Sequence, residues 1–472
     1  MTESIFEKTT LADIYEEIRT LYLSDNRPWI LGFSGGKDST CMIQLVWSAL
    51  SKLPPEKLQK KIFIISSDTL VESPKIVEKV TGSLDKMELE AKKQHLPVET
   101  NLVRPVLQDT FWVCLLGKGY PAPSQNFRWC TDRLKIINAN RFITEKVSEY
   151  GEAILLLGSR KDESASRQQV INLHEIKGSL LSRHSHLTNA FIYLPLRDFT
   201  TEDVWNYLLQ NKNPWNDNNR DLLALYQSAN AAECPLVVDT STPSCGNSRF
   251  GCWVCTVVSE DKSMKNLIEN GEEWMEPLFE LRQELKRTQD PLVKTQVREI
   301  KRRNGRVQFI YDQLRTSSGP YTFEYCKKFF RDLLKTQNKV QKTGPDPNMT
   351  LISEEEIHEI QRIWRMERGD WENSAYQIYL EETGKKLDTM QEDLGGFSQV
   401  EQEILHEVCE KNKISQVLVS RLLNTEFESQ GMTKHSKIYP KINKILSEEW
   451  RDDLDEIVED LQNRREEKAH YK

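Results

Sequence analysis

The sequence SGGKDST, residues 34–40, lies between an apolar run from Trp29 to Phe33 and a helical run from Cys41 to Leu50. Its two adjacent glycines allow a tight turn that brings backbone N–H groups against an anion, and the positive end of the following helix points at the same place. Lys37 can neutralise phosphate charge, while the carboxylate and hydroxyls after it can hold a metal ion or cap the helix. A lone Gly-Gly pair is usually a plain turn, but this strand–loop–helix context predicts a phosphate-binding loop.

Four short apolar runs alternate with helical stretches and predict β-strands. This alternation is typical of a parallel α/β sheet, in which ligands bind beyond the carboxyl ends of the strands. Because the first run leads directly into the glycine loop, the loop is predicted to lie at such an end. The predicted strands are Trp29 to Phe33, Lys61 to Ser66, Val98 to Val103 and Ala153 to Leu157.

Two further polar sets follow predicted strands. Asp68 and Thr69 follow the second strand, and residues 158–167 (GSRKDESASR) follow the fourth. Since the carboxyl ends of parallel strands share one edge of a sheet, we expect these sets and the glycine loop to converge on one crevice. Arg160 and Arg167 can hold an anionic substrate through bidentate contacts, and the alternative is a salt bridge within the fold.

The composition bounds the protein class. With 472 residues the chain is long enough for about two to four domains. Charged residues make up 29% of it, and no uncharged apolar run approaches the roughly 20 residues that a bilayer requires. Residues Met1 to Ser4 are neither basic nor apolar, so we expect no signal peptide, no membrane association and a cytoplasmic location. The net charge of −8 decides nothing about nucleic acid, because a local basic surface is compatible with it.

In such a compartment nine cysteines indicate metal binding or catalysis rather than disulfides. Four occur within 22 residues as C-x10-C-x6-C-x2-C, a pattern that can give zinc or an iron–sulfur cluster four sulfur ligands. A fifth, Cys130, stands among three cations that would lower its thiol pKa and suit a ligand or a sulfur-carrying nucleophile. One of these five thiols is therefore spare. The clustered four are Cys234, Cys245, Cys252 and Cys255, and the isolated Cys41, Cys114, Cys326 and Cys409 are interpreted as small buried hydrophobic residues.

The later part of the chain is predicted to be helical. Beyond about residue 260, long charged helices replace the strand signals, and residues 343–348 read as a linker. A helix is predicted to begin at Ser353, because Glu356 is placed to complete a capping box. Residues 282–306 carry nine Lys or Arg against three acids in a predicted helical stretch. Contacts to phosphates and a solvated helix face explain that excess equally well.

Several motifs together resemble a known superfamily. The loop SGGKDST is the signature of PP-loop ATP pyrophosphatases, which bind ATP in an adenine-nucleotide α-hydrolase-like fold and cleave it to AMP and pyrophosphate. With SDT at 67–69, RWCTDRLK at 128–135, GSRKDESASR at 158–167 and PLRDFTTEDVW at 195–205, residues 25–215 resemble the phosphoadenylyl-sulfate (PAPS) reductase family.

The cysteine segment 233–264 and the stretch EEEIHEIQRIWRMERGDWENSAYQIY at 354–379 narrow this resemblance. They are similar to the DndC family, the PP-loop sulfurtransferases of bacterial DNA phosphorothioation. The resemblance implies ATP, Mg²⁺ and a [4Fe-4S] cluster as cofactors. It also implies a cysteine desulfurase as cluster and sulfur donor, DndD- and DndE-type subunits of the modification complex as partners, and DNA as the substrate.

The resemblance also suggests cluster ligands. In the cluster-bearing adenylyl-sulfate reductases the ligands come from a cysteine pair and a later C-x2-C, and Cys130, Cys252 and Cys255 match those positions. A tryptophan stands where the other cysteine of the pair would lie. The fourth ligand is therefore open between Cys245 and Cys234, and Cys245 is favoured.

The predicted reaction adenylates a DNA backbone phosphate with release of pyrophosphate, after which sulfur displaces AMP. One alternative is a thiol-dependent PAPS reductase of sulfate assimilation, although such enzymes use a cysteine near the C-terminus and the last one here is Cys409. Another is a non-catalytic, nucleotide-regulated DNA-binding subunit, against which the intact loop argues. The predicted catalytic residues are Lys37, Asp38, Ser39 and Cys130, and the predicted nucleotide-binding residues are Ser34, Gly35, Gly36, Lys37, Asp38, Ser39, Thr40, Asp68, Thr69, Gly158, Arg160 and Arg167.

The predicted architecture is an α/β, parallel-sheet PP-loop domain followed by a cysteine-rich iron–sulfur segment and an α-helical C-terminal region. The predicted boundaries are 1–230 for the PP-loop domain, 231–260 for the cluster-binding segment, 261–345 for a basic helical region and 346–472 for the helical C-terminal region.

Overall fold

The computed structural model describes residues 3–176, 178–229, 251–308, 317–387, 399–427, 429, 438–451, 456–457, 459–460 and 463. The chain divides into two compact units. The first consists of Met1–Phe111, Ala122–Arg287 and Thr336–Leu351, and the second of Trp112–Pro121, Thr288–Lys335 and Ile352–Lys472.

The first unit is built on a six-stranded sheet in the order β3-β2-β1-β4-β6-β5. All neighbouring strands are parallel except β5 and β6, which are antiparallel. The four predicted strands are confirmed to within one residue at each end. The strands are β1 Trp29–Gly32, β2 Ile62–Ser67, β3 Val98–Val103, β4 Ala153–Leu156, β5 Leu181–Arg183 and β6 Ala190–Tyr193.

Helices cover both faces of this sheet. Because strand side chains alternate, Trp29 and Leu31 of β1 enter one apolar cluster and Ile30 enters the other. The helices of this unit are α1 Leu11–Leu23, α2 Lys37–Leu50, α3 Pro74–Lys93, α4 Trp129–Thr131, α5 Ile137–Tyr150, α6 Ala165–His174, α7 Thr201–Gln210, α8 Asn219–Ala229, α9 Lys262–Glu269 and α10 Glu276–Arg287.

The order of the strands positions the site. From β1 the chain moves outward through β2 to β3, and it then returns to the other side of β1 with β4. The carboxyl ends of β1 and β4 therefore flank the point where the strand order reverses, which is where ligands bind in open parallel sheets.

The second unit is helical in its described residues. Its helix α13 begins as predicted, because the Ser353 hydroxyl accepts a hydrogen bond from the Glu356 N–H at 3.2 Å and the Glu356 carboxylate accepts one from the Ser353 N–H at 3.0 Å. Trp364 donates its indole N–H to the Leu116 carbonyl at 2.8 Å. The helices are α11 Pro291–Val297, α12 Phe323–Thr343 (which ends in the first unit), α13 Glu354–Ile363, α14 Ser374–Thr383, α15 Gln399–Asn412, α16 Gln416–Phe427 and α17 Ile438–Leu446.

The structure also bears on the membrane prediction. Within the part of the chain that it describes, no helix combines the length and apolar character needed to cross a bilayer.

Candidate functional site

The glycine loop joins β1 to α2 in a conformation that requires glycine. Gly35 has a φ of +72°, and a Cβ atom there would lie 2.7 Å from Cγ2 of Val80. Gly36 is the N-cap of α2 and provides no side chain to bond the first helical amides. These amides therefore stay directed at the loop, as a phosphate-binding loop requires.

A serine hydroxyl closes the loop from inside. Ser39 Oγ accepts a hydrogen bond from the Ser34 N–H at 3.2 Å and donates to the Gly36 carbonyl at 3.0 Å. The hydroxyls of Ser34 and Ser39 lie 3.1 Å apart. Ser39, which was predicted to be catalytic, thus stabilises the conformation of the loop. Ser39 and Thr40 are both buried.

Tyr226 of α8 lies in front of the loop and was not predicted from the sequence. Its hydroxyl accepts a hydrogen bond from the Lys37 N–H at 3.1 Å. A Cβ atom on Gly36 would lie 3.0 Å from the same hydroxyl. This oxygen occupies the place at the helix N-terminus where a phosphate oxygen would accept a hydrogen bond.

The Asp38 carboxylate lies between two buried cations. Its Oδ2 is 3.0 Å from Lys37 Nζ, and its Oδ1 is 2.5 Å from Arg160 Nε. The Arg160 guanidinium is fully buried and also donates to the Phe199 carbonyl at 3.4 Å and the Thr201 hydroxyl at 3.2 Å. Arg160 therefore forms the salt bridge that the sequence left as the alternative to substrate binding.

The residues after β4 approach the loop closely. A Cβ atom at Gly158 would lie 2.8 Å from the carbonyl carbon of Asp38 and 3.0 Å from the nitrogen of Ser39. Arg167 donates to the Ser159 hydroxyl at 2.8 Å. Two of the three polar sets thus meet at the carboxyl edge of the sheet.

Asp38 and Asp68, the two carboxylates predicted to bind the nucleotide, are each paired with a cation. Asp68 accepts from the Leu70 N–H at 2.9 Å and from Arg104 Nε at 2.9 Å, so it is paired with a cation, as Asp38 is. Within the described ranges, no three Cys, His, Asp or Glu side chains are grouped so that they could hold a metal ion. The Mg²⁺ prediction stays a prediction.

The cysteine turn lies beside the third polar set. The backbones of Cys252 and Glu72 form an isolated antiparallel β-bridge. The Cys252 sulfur lies 3.3 Å from the hydroxyl of Thr69. Cys255 donates its N–H to the Cys252 carbonyl at 3.0 Å, which closes the C-x2-C turn. Burial raises the pKa of the Cys252 thiol well above its usual value, while Lys135 and the Thr69 hydrogen bond oppose that rise.

Cys130 lies at the start of the helical segment that follows Arg128. It is near enough to Cys252 that a negative charge on Cys130 helps to raise the pKa of Cys252. Cys130, Cys252 and Cys255 do not by themselves form a metal site among the described residues, and Cys234 and Cys245 lie outside those residues. The described thiols therefore do not assemble a cluster site, and the ligand set stays a prediction. The four isolated cysteines are buried, as predicted.

Two cations of the basic stretch hold the cysteine turn. Arg282 of α10 is fully buried and donates to the carbonyls of Cys255 at 2.9 Å and Val258 at 2.8 Å. One helical turn later, Lys286 donates to the carbonyl of Thr256 at 2.8 Å. Burial lowers the pKa of both side chains, and the negative charge of Cys255 opposes that effect.

The basic stretch is helical as predicted only as far as the end of α11. In the second unit α11 ends at Val297, and Arg298 forms an antiparallel bridge with Tyr321. Arg298 donates to the Gly319 carbonyl at 2.7 Å, and Arg303 to Glu367 at 2.7 Å. Protein groups thus bind several of these cations, and the contact of this stretch with phosphates stays a prediction.

Parts of this chain are similar to known proteins. Residues 28–258 match the family profile described as "Phosphoadenosine phosphosulfate reductase domain". An uncharacterized protein of Methanocaldococcus jannaschii is 25% identical over 238 residues, which is 50% of this chain and 38% of that relative's length. The U34-tRNA thiolase NcsA of Methanococcus maripaludis, solved with its [4Fe-4S] cluster, is 14% identical, with coverage of 60% of this chain and 78% of that one and a TM-score of 0.29. Likeness at that level supports no functional assignment.

The predicted α/β fold class is therefore confirmed: a mostly parallel sheet is followed by a helical C-terminal region, and the sheet lies within the residues that match the PAPS reductase domain profile.

Proposed function

We propose that this protein is an ATP-dependent sulfurtransferase that cleaves ATP to AMP and pyrophosphate and places sulfur on a DNA backbone phosphate. The observation that carries the proposal is the position of Thr69, buried just after β2, which neighbours the strand leading into the glycine loop. Its hydroxyl lies 3.3 Å from the sulfur of Cys252. The glycine loop and a thiol thus share one edge of the sheet. The choice of DNA as acceptor is supported by the sequence resemblance to the DndC family.

The first step activates the acceptor phosphate. A phosphate oxygen is a poor leaving group, so its replacement by sulfur at neutral pH requires adenylation. The amides of the loop and the N-terminal end of α2 would hold the β- and γ-phosphates, with Lys37 as their counter-charge. Arg160 acts through Asp38, because it holds the carboxylate that positions the Lys37 ammonium. A DNA phosphate oxygen attacks the α-phosphorus, pyrophosphate leaves, and DNA phosphate and AMP are joined as a mixed anhydride.

The second step transfers sulfur and can be written for thiols alone. A desulfurase-supplied persulfide on Cys130 attacks the activated DNA phosphorus through its terminal sulfur, and AMP leaves with the oxygen. The Cys252 thiolate then attacks the Cys130 sulfur, which releases the phosphorothioate and leaves a disulfide between the two cysteines. An external dithiol reduces that disulfide and restores the site. Atoms and electrons balance, because the thiol pair supplies the two electrons that the sulfane sulfur requires.

The alternative role for the same thiols is to bind a [4Fe-4S] cluster. Cys130, Cys252 and Cys255 would be three of its ligands, with Cys245 favoured over Cys234 as the fourth. Iron and acid-labile sulfide, measured after anaerobic purification of single cysteine variants, separate the two assignments. Zinc without sulfide would overturn the cluster.

The experiment that tests the proposal follows products from ATP, DNA and a desulfurase loaded with ³⁵S-cysteine. Wild-type protein is expected to release AMP and pyrophosphate and to label the DNA. Asp38→Asn should lower pyrophosphate release by about 10²–10³-fold, because it removes the charge that positions Lys37. Asp85→Asn, an exposed substitution on α3, is the matched control and should leave release unchanged. Undiminished release from the Asp38 variant, or formation of ADP, would overturn the assignment of the loop.

The domain match favours one other candidate, a thiol-dependent PAPS reductase. That enzyme would release sulfite from PAPS with thioredoxin as reductant. We expect no sulfite, and its formation at the rate of the pyrophosphate assay would favour the reductase over the sulfurtransferase.

A further inference from the structure

A tight turn in the segment before Cys130 carries an exposed aromatic ring that the reaction proposed above does not use. Ser124 and Phe127 exchange two backbone hydrogen bonds, both at 3.1 Å, and form an isolated antiparallel bridge. Gln125 and Asn126 occupy the two positions between them and are exposed. Phe127 itself is 47% exposed. The turn therefore presents a phenyl ring to solvent, with two amide side chains next to it in the chain.

This turn is fixed against the cysteine turn. Thr256 directly follows Cys255 and is fully buried, and its hydroxyl donates to the Pro123 carbonyl at 2.7 Å. The ring of Pro123 also restricts the backbone just before the turn. An aromatic side chain on a backbone held in this way loses little conformational entropy when a ligand covers it.

The residue after the turn is a cation whose hydrogen bonds are incomplete. Arg128 donates from Nε to the Gln125 carbonyl at 3.3 Å. Its Nη1 is buried without a hydrogen-bond partner among the described residues. Because an unsatisfied buried donor of a charged group is costly, an anionic oxygen that reached this guanidinium would be stabilised. The position therefore suits a phosphate.

A second exposed apolar side chain lies on the strand side of the cysteine turn. Leu70 is 41% exposed and has a φ of +63°, which a bulky side chain rarely adopts. It stands between Thr69, which contacts the Cys252 sulfur, and Val71, whose carbonyl accepts the Trp253 N–H at 3.0 Å. Strained backbone of this kind clusters at ligand-binding sites. Two segments that contact the cysteine turn thus each expose an apolar side chain.

The length of chain between the ring and the thiol limits which part of a substrate the ring can contact. Phe127 and Cys130 are three residues apart, so their Cα atoms are at most about 11 Å apart. A nucleic-acid strand advances by about 3.4 Å or more per nucleotide. A base stacked on Phe127 is therefore within about three nucleotides of a phosphate that lies at Cys130.

We infer that Phe127 stacks on a DNA base within about three nucleotides of the phosphate that receives sulfur, with Arg128 as a counter-charge of the strand. This inference rests on the proposed function, because it names how that function's DNA acceptor is held at the thiol. A nucleotide offers a flat base and a phosphate side by side, and these match the ring and the guanidinium. A protein partner matches less well, because stable protein interfaces bury about 1,200–2,000 Å² and Leu70 and Phe127 are single side chains on separate segments.

The first experiment maps the contact directly. A single-stranded oligonucleotide with 5-iodouracil in place of every thymine is cross-linked to the protein by ultraviolet light, and the tryptic peptides are sequenced by mass spectrometry. We expect wild-type protein to carry a cross-link in the peptide 119–128, at Phe127. Phe127→Trp should keep a cross-link in this peptide, and Phe127→Ala should lose it. Cross-links confined to other peptides would overturn the inference.

The second experiment measures affinity for the same strand by fluorescence anisotropy. Phe127→Ala should weaken binding by about 5- to 150-fold, which is the effect of losing one stacked base, and Phe127→Trp should bind like wild type. The matched control is Tyr150→Ala, an aromatic residue that is 39% exposed and ends α5 at the amino edge of the sheet. It should leave the affinity unchanged. Thermal unfolding of each variant checks that the fold is kept.

Equal affinities of wild type and Phe127→Ala would overturn this inference alone, because labelling of DNA by wild-type protein would still support the proposed function. An equal loss in Tyr150→Ala would overturn it as well. Unchanged DNA binding with reduced transfer of ³⁵S from the desulfurase to Phe127→Ala would assign the turn to the desulfurase instead. Wild-type protein that neither binds the oligonucleotide nor labels DNA would overturn the proposed function together with this inference.

Discussion

The Thr69 hydroxyl lies 3.3 Å from the Cys252 sulfur. This contact connects the cysteine turn to the edge of the sheet at which the glycine loop also lies. Thr69 is fully buried, and Cys252 is held beside it by a hydrogen bond from the Trp253 N–H to the Val71 carbonyl at 3.0 Å. The hydrogen bond from Thr69 lowers the pKa of Cys252 against the larger raising effect of burial. The contact therefore favours the thiolate form of Cys252.

Thr69→Val keeps the shape of that side chain but removes its hydroxyl. Since the hydroxyl stabilises the thiolate, the pKa of Cys252 should rise further and its alkylation by iodoacetamide at pH 8 should slow by about 2- to 10-fold. Mass spectrometry of the Cys252 peptide measures the rate. Thr100→Val on β3, where the hydroxyl bonds Glu88 instead, should leave the rate unchanged. Equal rates in wild type and Thr69→Val would show that the contact does not act on the thiol.

Tyr226→Phe should bind ATP more tightly than wild type. The Tyr226 hydroxyl accepts the Lys37 N–H, so a phosphate must displace it before it can use that amide. Removing a competing hydrogen bond of about 0.5–1.5 kcal/mol predicts a 2- to 10-fold lower Kd, measured by calorimetry. Tyr15→Phe removes a hydroxyl that bonds Tyr207 away from the loop, and it should have no effect on the Kd. Weaker ATP binding by Tyr226→Phe would instead make the hydroxyl a ligand of the nucleotide.

Arg282→Gln should loosen the cysteine turn. The guanidinium satisfies the carbonyls of Cys255 and Val258 inside the protein, so its loss should lower the free energy of unfolding by about 2–3 kcal/mol. Alkylation of Cys255 in the folded protein should become faster. Arg287→Gln on the same helix is the control, because its side chain is 69% exposed and should leave both measurements unchanged. Unaltered alkylation in Arg282→Gln would contradict the role of α10 in holding the turn.

The pH dependence of stability should change with Lys79→Met. Burial lowers the pKa of Lys79 from 10.5 to about 8, although Asp217 and Asp221 oppose this. Between pH 8 and 10.5 the unfolded chain binds more protons at this lysine than the folded one, so its contribution to stability rises with pH. Lys79→Met should therefore gain stability over wild type at pH 7, and the gain should shrink as the pH approaches 10. Urea unfolding at several pH values measures this, and a constant difference would contradict it.

The parts of the site that follow from local patterns could be predicted from the sequence. The apolar runs gave four strands to within a residue, and the glycine pair gave the loop, because both depend on backbone geometry that neighbouring residues determine. The binding partner of the Arg160 side chain could not be predicted, because an arginine in such a motif can bind either the substrate or a carboxylate of the protein itself. Tyr226 could not be found either, because it reaches the loop from a helix 189 residues further along the chain.

The number of charged residues in a stretch was the least informative feature of the sequence for predicting the site. The excess of cations in residues 282–306 suggested side chains on the surface of a helix. Arg282 and Arg298 instead donate hydrogen bonds to backbone carbonyls. Which acceptor a long cationic side chain finds depends on tertiary packing, and no periodicity encodes it.

The central claim is that ATP activates a DNA phosphate by adenylation before sulfur displaces AMP. The most direct test uses an oligonucleotide with ¹⁸O at its non-bridging phosphate positions, incubated with ATP, the sulfur-loaded desulfurase and the protein. Mass spectrometry of the released AMP is expected to show one ¹⁸O atom for each phosphorothioate formed, because the displaced DNA oxygen leaves with AMP. AMP without ¹⁸O, or ADP as the nucleotide product, would contradict this account.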